Sequence, residues 1–135
     1  MSVPKDYRYT SSHEWVKVEE DNVVTIGITD YAQEKLGDIV SVDLPRVGDE
    51  VEKDEPIGMI DSQKASSEVF APVSGVVLEV NEMLADDPAV VNSDPYEEGW
   101  LVRIEVEDMD AVDDLLSADD YEEHLGKLDE EGPED

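Results

Sequence analysis

The apolar residues of this chain arrive in short runs, and a turn signal closes nearly every run. "HEWVKVEEDNVVTIGIT" (13–29) carries Trp15, Val16 and Val18 up to the polar turn Glu19–Asn22, then Val23, Val24, Ile26 and Ile28. "DIVSVDL" (38–44) sets Ile39, Val40, Val42 and Leu44 among polar residues, and Pro45 stops it. "VGDEVEKDEPIGMIDS" (47–62) has a Gly48-Asp49 turn and then Ile57, Met59 and Ile60. "SEVFAPVSGVVLEV" (67–80) has Val69 and Phe70, a Pro72–Gly75 turn, then Val76, Val77, Leu78 and Val80. A turn-rich connection from Asn81 leads to a last run, Trp100–Val106. Runs of this length with near-alternating polarity are strands. Many short strands with turns every several residues predict a mostly β fold, a small sandwich or flattened barrel. The strand–helix alternation of a parallel α/β sheet is missing.

Helical pattern is confined to two places. "TDYAQEKLG" (29–37) reads as a short helix, with Thr29 or Asp30 to cap its start and Gly37 to end it. "MDAVDDLLSADDYEEHL" (109–125) is helical, with Ser117 capping a second segment. One domain over 1–128 is expected, and 129–135 reads as an acidic, frayed tail.

Charge narrows the function. The 135 residues include 38 acidic and 9 basic ones, a formal net charge of −29. Such a surface repels nucleic-acid phosphates and anionic lipid. So much acid usually means disorder, but 39% of this chain is hydrophobic and patterned. Adaptation to a salty cytoplasm accounts for the acid better: near 1 M salt the screening length falls to roughly 3 Å, and carboxylates repel little. An acidic partner-binding face is the alternative. With no cysteine there is neither a disulfide framework nor a cysteine-ligated zinc site. No apolar run has the length of a membrane span, and "MSVPKDYRYT" has no signal-peptide core, so a cytoplasmic location is expected.

Motifs of catalysis fail on inspection. "HEWVK" (13–17) begins like a zinc-protease helix but has Lys17 where the second histidine belongs. "DMDAVDD" (108–114) begins like a calcium loop but has Val112 at a ligand position, and reads as an acidic helix start. His13 and His124 read as structural, and no serine has a nucleophile-elbow context. The chain does not read as an enzyme by itself.

Lys64 is different. It stands in "DSQKAS" (61–66), among small or polar residues that cannot pack over it, at the centre of two arms that roughly mirror each other. A lysine at a hairpin tip has reach, exposure and a stiff base, which a carrier lysine needs. A solvated surface charge is the bland reading.

At this point the chain resembles a known family over nearly its whole length. "SSHEWV", "VTIGITDYAQEKLGDIVSVDLP", "VGDEV", "DSQKASSEVFAPVSGVV", "EVNE" and "VNSDPYEEGWLVRI" resemble, in order and spacing, the H proteins of the glycine cleavage system. Two departures stand out: Gln63 where the family more often has an apolar residue, and Asp54 at a turn position usually held by glycine. Aspartate can adopt the left-handed conformation. The resemblance implies a lipoyl-type flattened barrel, a barrel-sandwich hybrid of two antiparallel sheets. It implies (R)-lipoate in amide linkage on Lys64. It implies a carrier that shuttles the aminomethyl group of glycine from glycine decarboxylase (pyridoxal phosphate) to aminomethyltransferase (tetrahydrofolate). Electrons then pass to dihydrolipoyl dehydrogenase (FAD), and a lipoylating enzyme is a further partner. By position it implies a cleft for the loaded arm built from Ser12, Glu14 and Glu68. A lipoyl domain of a 2-oxoacid dehydrogenase would share the lysine hairpin but not "SSHEWV", "SDPYEEGWL" or the terminal helices. A biotin carrier would flank the lysine with methionines. A lipoate donor to other complexes, and a bare scaffold with Lys64 unmodified, remain open from sequence.

Overall fold

The computed structural model describes residues 4–20 and 22–131. Two antiparallel sheets face each other. The larger is built from β1 (Arg8–Tyr9), β2 (Glu14–Val18), β3 (Val23–Ile28), β5 (Glu50–Val51), β8 (Gly75–Val80) and β9 (Val102–Val106), in the order β1-β2-β3-β9-β8-β5. The smaller has β4 (Ile39–Asp43), β6 (Pro56–Ser62) and β7 (Ser66–Phe70), in the order β4-β6-β7. The sheets do not close into one barrel, so the flattened barrel-sandwich reading holds.

The mirrored arms are one long hairpin divided between the sheets. Its base, β5 with β8, pairs Glu50 with Val76 in the large sheet. Its tip, β6 with β7, pairs Asp61 with Ser66 in the small one. The crossing lies at Asp54, whose N–H donates to the Ala71 carbonyl at 2.8 Å and whose φ is 71°. Aspartate thus holds the left-handed turn usually given to glycine.

Apolar alternation pins the register. Val16, Val24, Ile26 and Ile104 of the large sheet, with Ile60 and Val69 of the small one, are buried in the main core. A second core lies apart from it: Tyr9 and Trp15 pack with Ala118, Tyr121 and Leu125 of α5 (Ala118–Glu131). Tyr9 and Tyr121 stack with centroids 4.7 Å apart. Gly27 pairs with Trp15 across β2 and β3, and a Cβ there would stand 2.6 Å from the indole. Only glycine leaves room for that ring.

The expected caps are present. Thr29 Oγ1 accepts from the N–H of Ala32 at 3.2 Å and starts α1 (Asp30–Leu36), which Gly37 ends at φ 81°. Ser117 Oγ accepts from the N–H of Asp120 at 3.2 Å at the start of α5. The acidic start at 108–114 becomes α4 (Asp110–Asp113), where Asp108 Oδ1 accepts from the N–H of Asp110 at 3.0 Å.

Some elements differ from expectation. The connection after Asn81 contains two single helical turns, α2 (Met83–Asp86) and α3 (Val90–Ser93). Asn81 Oδ1 accepts from the N–H of Met83 at 3.3 Å at the start of α2, and α3 has no side-chain cap; each turn buries one residue, Leu84 or Val91, an apolar burial worth about 1.5–3 kcal/mol. The last strand starts at Val102, because the N–H of Trp100 closes a turn onto the Glu97 carbonyl at 3.2 Å. Strand β1 carries no apolar run and is visible only through its pairing with β2 and the Tyr9–Leu116 bridge. Positions 129–131 of the expected tail continue α5, and 132–135 lie outside the described residues.

Candidate functional site

The lysine hairpin is built to be stiff below its tip. The N–H of Ser62 donates to the carbonyl of Ala65 at 2.8 Å, closing a four-residue turn around Gln63 and Lys64. Ser62 Oγ accepts from the N–H of Ala65 at 3.1 Å. Below it, Asp61 accepts from Ser66 Oγ at 2.5 Å and from Ser41 Oγ at 3.1 Å. Asp61 therefore links all three strands of the small sheet at the height of the tip. Residues 63–68 are exposed, Lys64 among them. The stretch supplies a primary amine on a fixed base with no side chain packed over it.

The second feature is a buried carboxylate. Glu14 opens β2 with only 2% of its surface exposed. Its Oε1 accepts from Thr10 Oγ1 at 2.6 Å and Ser12 Oγ at 2.7 Å, and its Oε2 accepts from the N–H of Phe70 at 3.3 Å. Burial raises the carboxyl above the ordinary range for glutamate, and the hydrogen bonds from Thr10, Ser12 and Phe70 partly oppose this. His13 makes the sharp turn that feeds Glu14 into the strand; its φ is 73°, and its N–H returns to the Thr10 carbonyl at 3.1 Å.

Ser12 and Glu14 are therefore in direct contact. Glu68 lies elsewhere: it is exposed on β7, opposite Met59 and two residues before the Phe70 that donates to Glu14. It stands between the lysine tip and Glu14 along one edge strand. Thr10 was not expected. It both donates to the Glu14 carboxylate and accepts the Glu14 N–H at 3.1 Å, a role without any local sequence signal.

His13 is held in an aromatic cluster. Its Nδ1 lies 2.8 Å from the Tyr121 hydroxyl, with the Tyr31 and His124 rings beside it at 4.5 and 5.9 Å. Among the described residues, no group of His, Asp and Glu could hold a metal ion. No helix among them is long and apolar enough to cross a membrane.

Residues 7–128 match the family model described as "Glycine cleavage H-protein". This chain belongs to the glycine cleavage H-protein family. The glycine cleavage system H protein of Staphylococcus carnosus is 53% identical over 127 residues, covering 94% of this chain and 100% of that one. That of Halalkalibacterium halodurans is 54% identical over 126 residues, covering 93% and 98%. The crystal structure of a glycine cleavage system H protein from Mycobacterium marinum superposes with a TM-score of 0.85 at 41% identity, covering 92% of this chain and 99% of that one. The family match thus takes in both sheets, the lysine hairpin and most of α5. A 2-oxoacid dehydrogenase lipoyl domain is not favoured by a match of this extent.

Proposed function

We propose that this H-protein family member is the lipoyl-lysine carrier of a glycine cleavage system, with (R)-lipoate on Lys64. The observation that carries the reading is the exposed Lys64 amine on a closed turn, braced by Asp61, in a chain matched to the family over 7–128. When bound, lipoate supplies a dithiolane that can accept the aminomethyl group of glycine and two electrons. The chain supplies the rest. The stiff hairpin fixes the root of the arm, and tethering makes each transfer quasi-intramolecular once an enzyme docks. The lack of cysteine leaves no internal thiol to exchange with the arm. The partners follow from the role: glycine decarboxylase, aminomethyltransferase, dihydrolipoyl dehydrogenase and a lipoylating enzyme.

Ser12, Glu14 and Glu68 are the residues we assign to the resting cleft of the loaded arm. Among the described residues Glu14 Oε2 has one protein donor, and it has a second lone pair to offer. A protonated amine arriving there would gain a charge-assisted hydrogen bond and leave water.

Intact mass of the protein purified from its own host tests the assignment. One lipoyl-sized addition, mapped to Lys64, is expected. A biotin-sized addition, or a lipoyl group on another lysine, overturns it.

A further inference from the structure

The lysine tip leans on the end of α1. The N–H of Gln63 donates to the Asp38 carbonyl at 3.1 Å. The stem of Lys64 passes over Gly37: a Cβ built on Gly37 would stand 3.3 Å from Lys64 Cε and 3.8 Å from Cδ. Gly37 has φ 81° and ψ −155°, a region essentially reserved for glycine. The turn therefore has a bare face, and the lysine lies on it.

A residue far along the chain holds that turn. Asn92 of α3 accepts from the N–H of Ile39 at 2.9 Å. Its amide donates to the Gly37 carbonyl and to Gln33 Oε1, both at 2.9 Å. Gln33 Nε2 donates in turn to Asp30 Oδ1 at 2.6 Å. Asn92 uses both donors and one acceptor on three residues of a seven-residue stretch. A carboxylate could accept from Ile39 but would face the Gly37 carbonyl without a proton to give. The amide suits the site, and the acid does not.

We propose that Asn92 and Gly37 are positioning residues for the modification of Lys64. Asn92 fixes the Gly37–Asp38 turn; Asp38 holds the tip through Gln63; Gly37 seats the lysine stem. The modifying enzyme then meets the tip in one orientation instead of several. A tip that is competent only part of the time lowers apparent affinity by that fraction, without slowing the step after docking. The proposal rests on the lipoyl reading of Lys64.

The test uses unmodified full-length protein, a lipoate ligase, lipoate and ATP, with incorporation followed by intact mass. Asn92→Asp keeps the acceptor and removes both donors; Asn92→Ala serves if the first variant folds poorly. The expected result is a KM for the protein substrate raised about fivefold or more, with kcat within about twofold. Amide exchange at Gln63 should accelerate while the paired amides of β6 and β7 stay protected. Wild-type KM in both variants overturns the proposal and leaves the lipoyl reading intact. Exchange that rises uniformly through the fold also overturns it, since Asn92 would then be a general structural residue. No incorporation into the wild-type chain overturns both readings.

Discussion

The Tyr121 hydroxyl sits 2.8 Å from His13 Nδ1 and 2.7 Å from Thr29 Oγ1. The last helix is thereby tied to the turn that presents Ser12 and Glu14, and to the cap of α1. Burial holds the His13 imidazole at about 4, below its usual 6.5, and the nearby His124 adds to the shift. The folded protein thus keeps His13 neutral where the unfolded chain protonates it.

A pH dependence follows. His13 contributes its full stability above pH 6.5, loses it as the pH falls toward 4, and changes nothing further below that. After allowance for solvent screening of a partly buried ring, the loss is on the order of 2 kcal/mol. Glu14 works in the opposite sense: its raised carboxyl costs stability as the pH rises through its range. Comparing wild type with His13→Asn isolates the imidazole, because asparagine tolerates the positive φ. Urea unfolding between pH 7 and 4 should show a shallower acid loss in His13→Asn. Parallel curves would remove His13 from the acid response.

Lys64→Arg should abolish carrier activity and leave the fold alone. The side chain is exposed, so unfolding should move by no more than about 0.5 kcal/mol. Thermal unfolding and glycine–bicarbonate exchange with the partner enzymes check both halves. Exchange supported by the arginine variant would sink the carrier assignment.

Salt should stabilise this protein strongly. Among the described residues, ion pairs join Lys5 to Asp119 and Glu122, and Arg103 to Glu79. Against a net charge of −29 these pairs offset little of the self-repulsion. Unfolding midpoints at pH 7 should climb steeply from dilute buffer to molar KCl. A flat profile would mark the acidic surface as positioned for partners instead.

Glu14→Gln should shorten the life of the loaded arm. With its amide oxygen toward the Phe70 N–H and its NH2 donating to the Thr10 and Ser12 hydroxyls, glutamine keeps the size and the partners, but the charge is gone. A hydrogen bond to a charged group contributes roughly 1.5–3 kcal/mol, so the undocked fraction should rise about tenfold or more. Formaldehyde release from the loaded protein without partner enzymes measures it. Release at the wild-type rate would exclude Glu14 from the cleft.

Much of the scaffold was legible in the residue order. Alternation placed β2, β3 and β8, Thr29 and Gly37 bounded α1, and the mirrored arms put Lys64 at a tip. Each of these depends on neighbours along the chain: the period of the pleat, a cap two or three residues away, a turn that tolerates only certain φ. Tertiary structure alone decided which acid is buried. The resemblance put Glu14 and Glu68 in the same cleft; only the packing, with Thr10, Ser12 and the Phe70 N–H converging from two separate elements, buries Glu14 and leaves Glu68 exposed. Likewise, Asn92 reads as a polar residue in a turn-rich connection until α3 packs on α1 and its amide meets Gly37, 55 positions away. Burial and hydrogen-bond partners are set by whatever packs against a residue from a distance in sequence, and no local pattern carries that information.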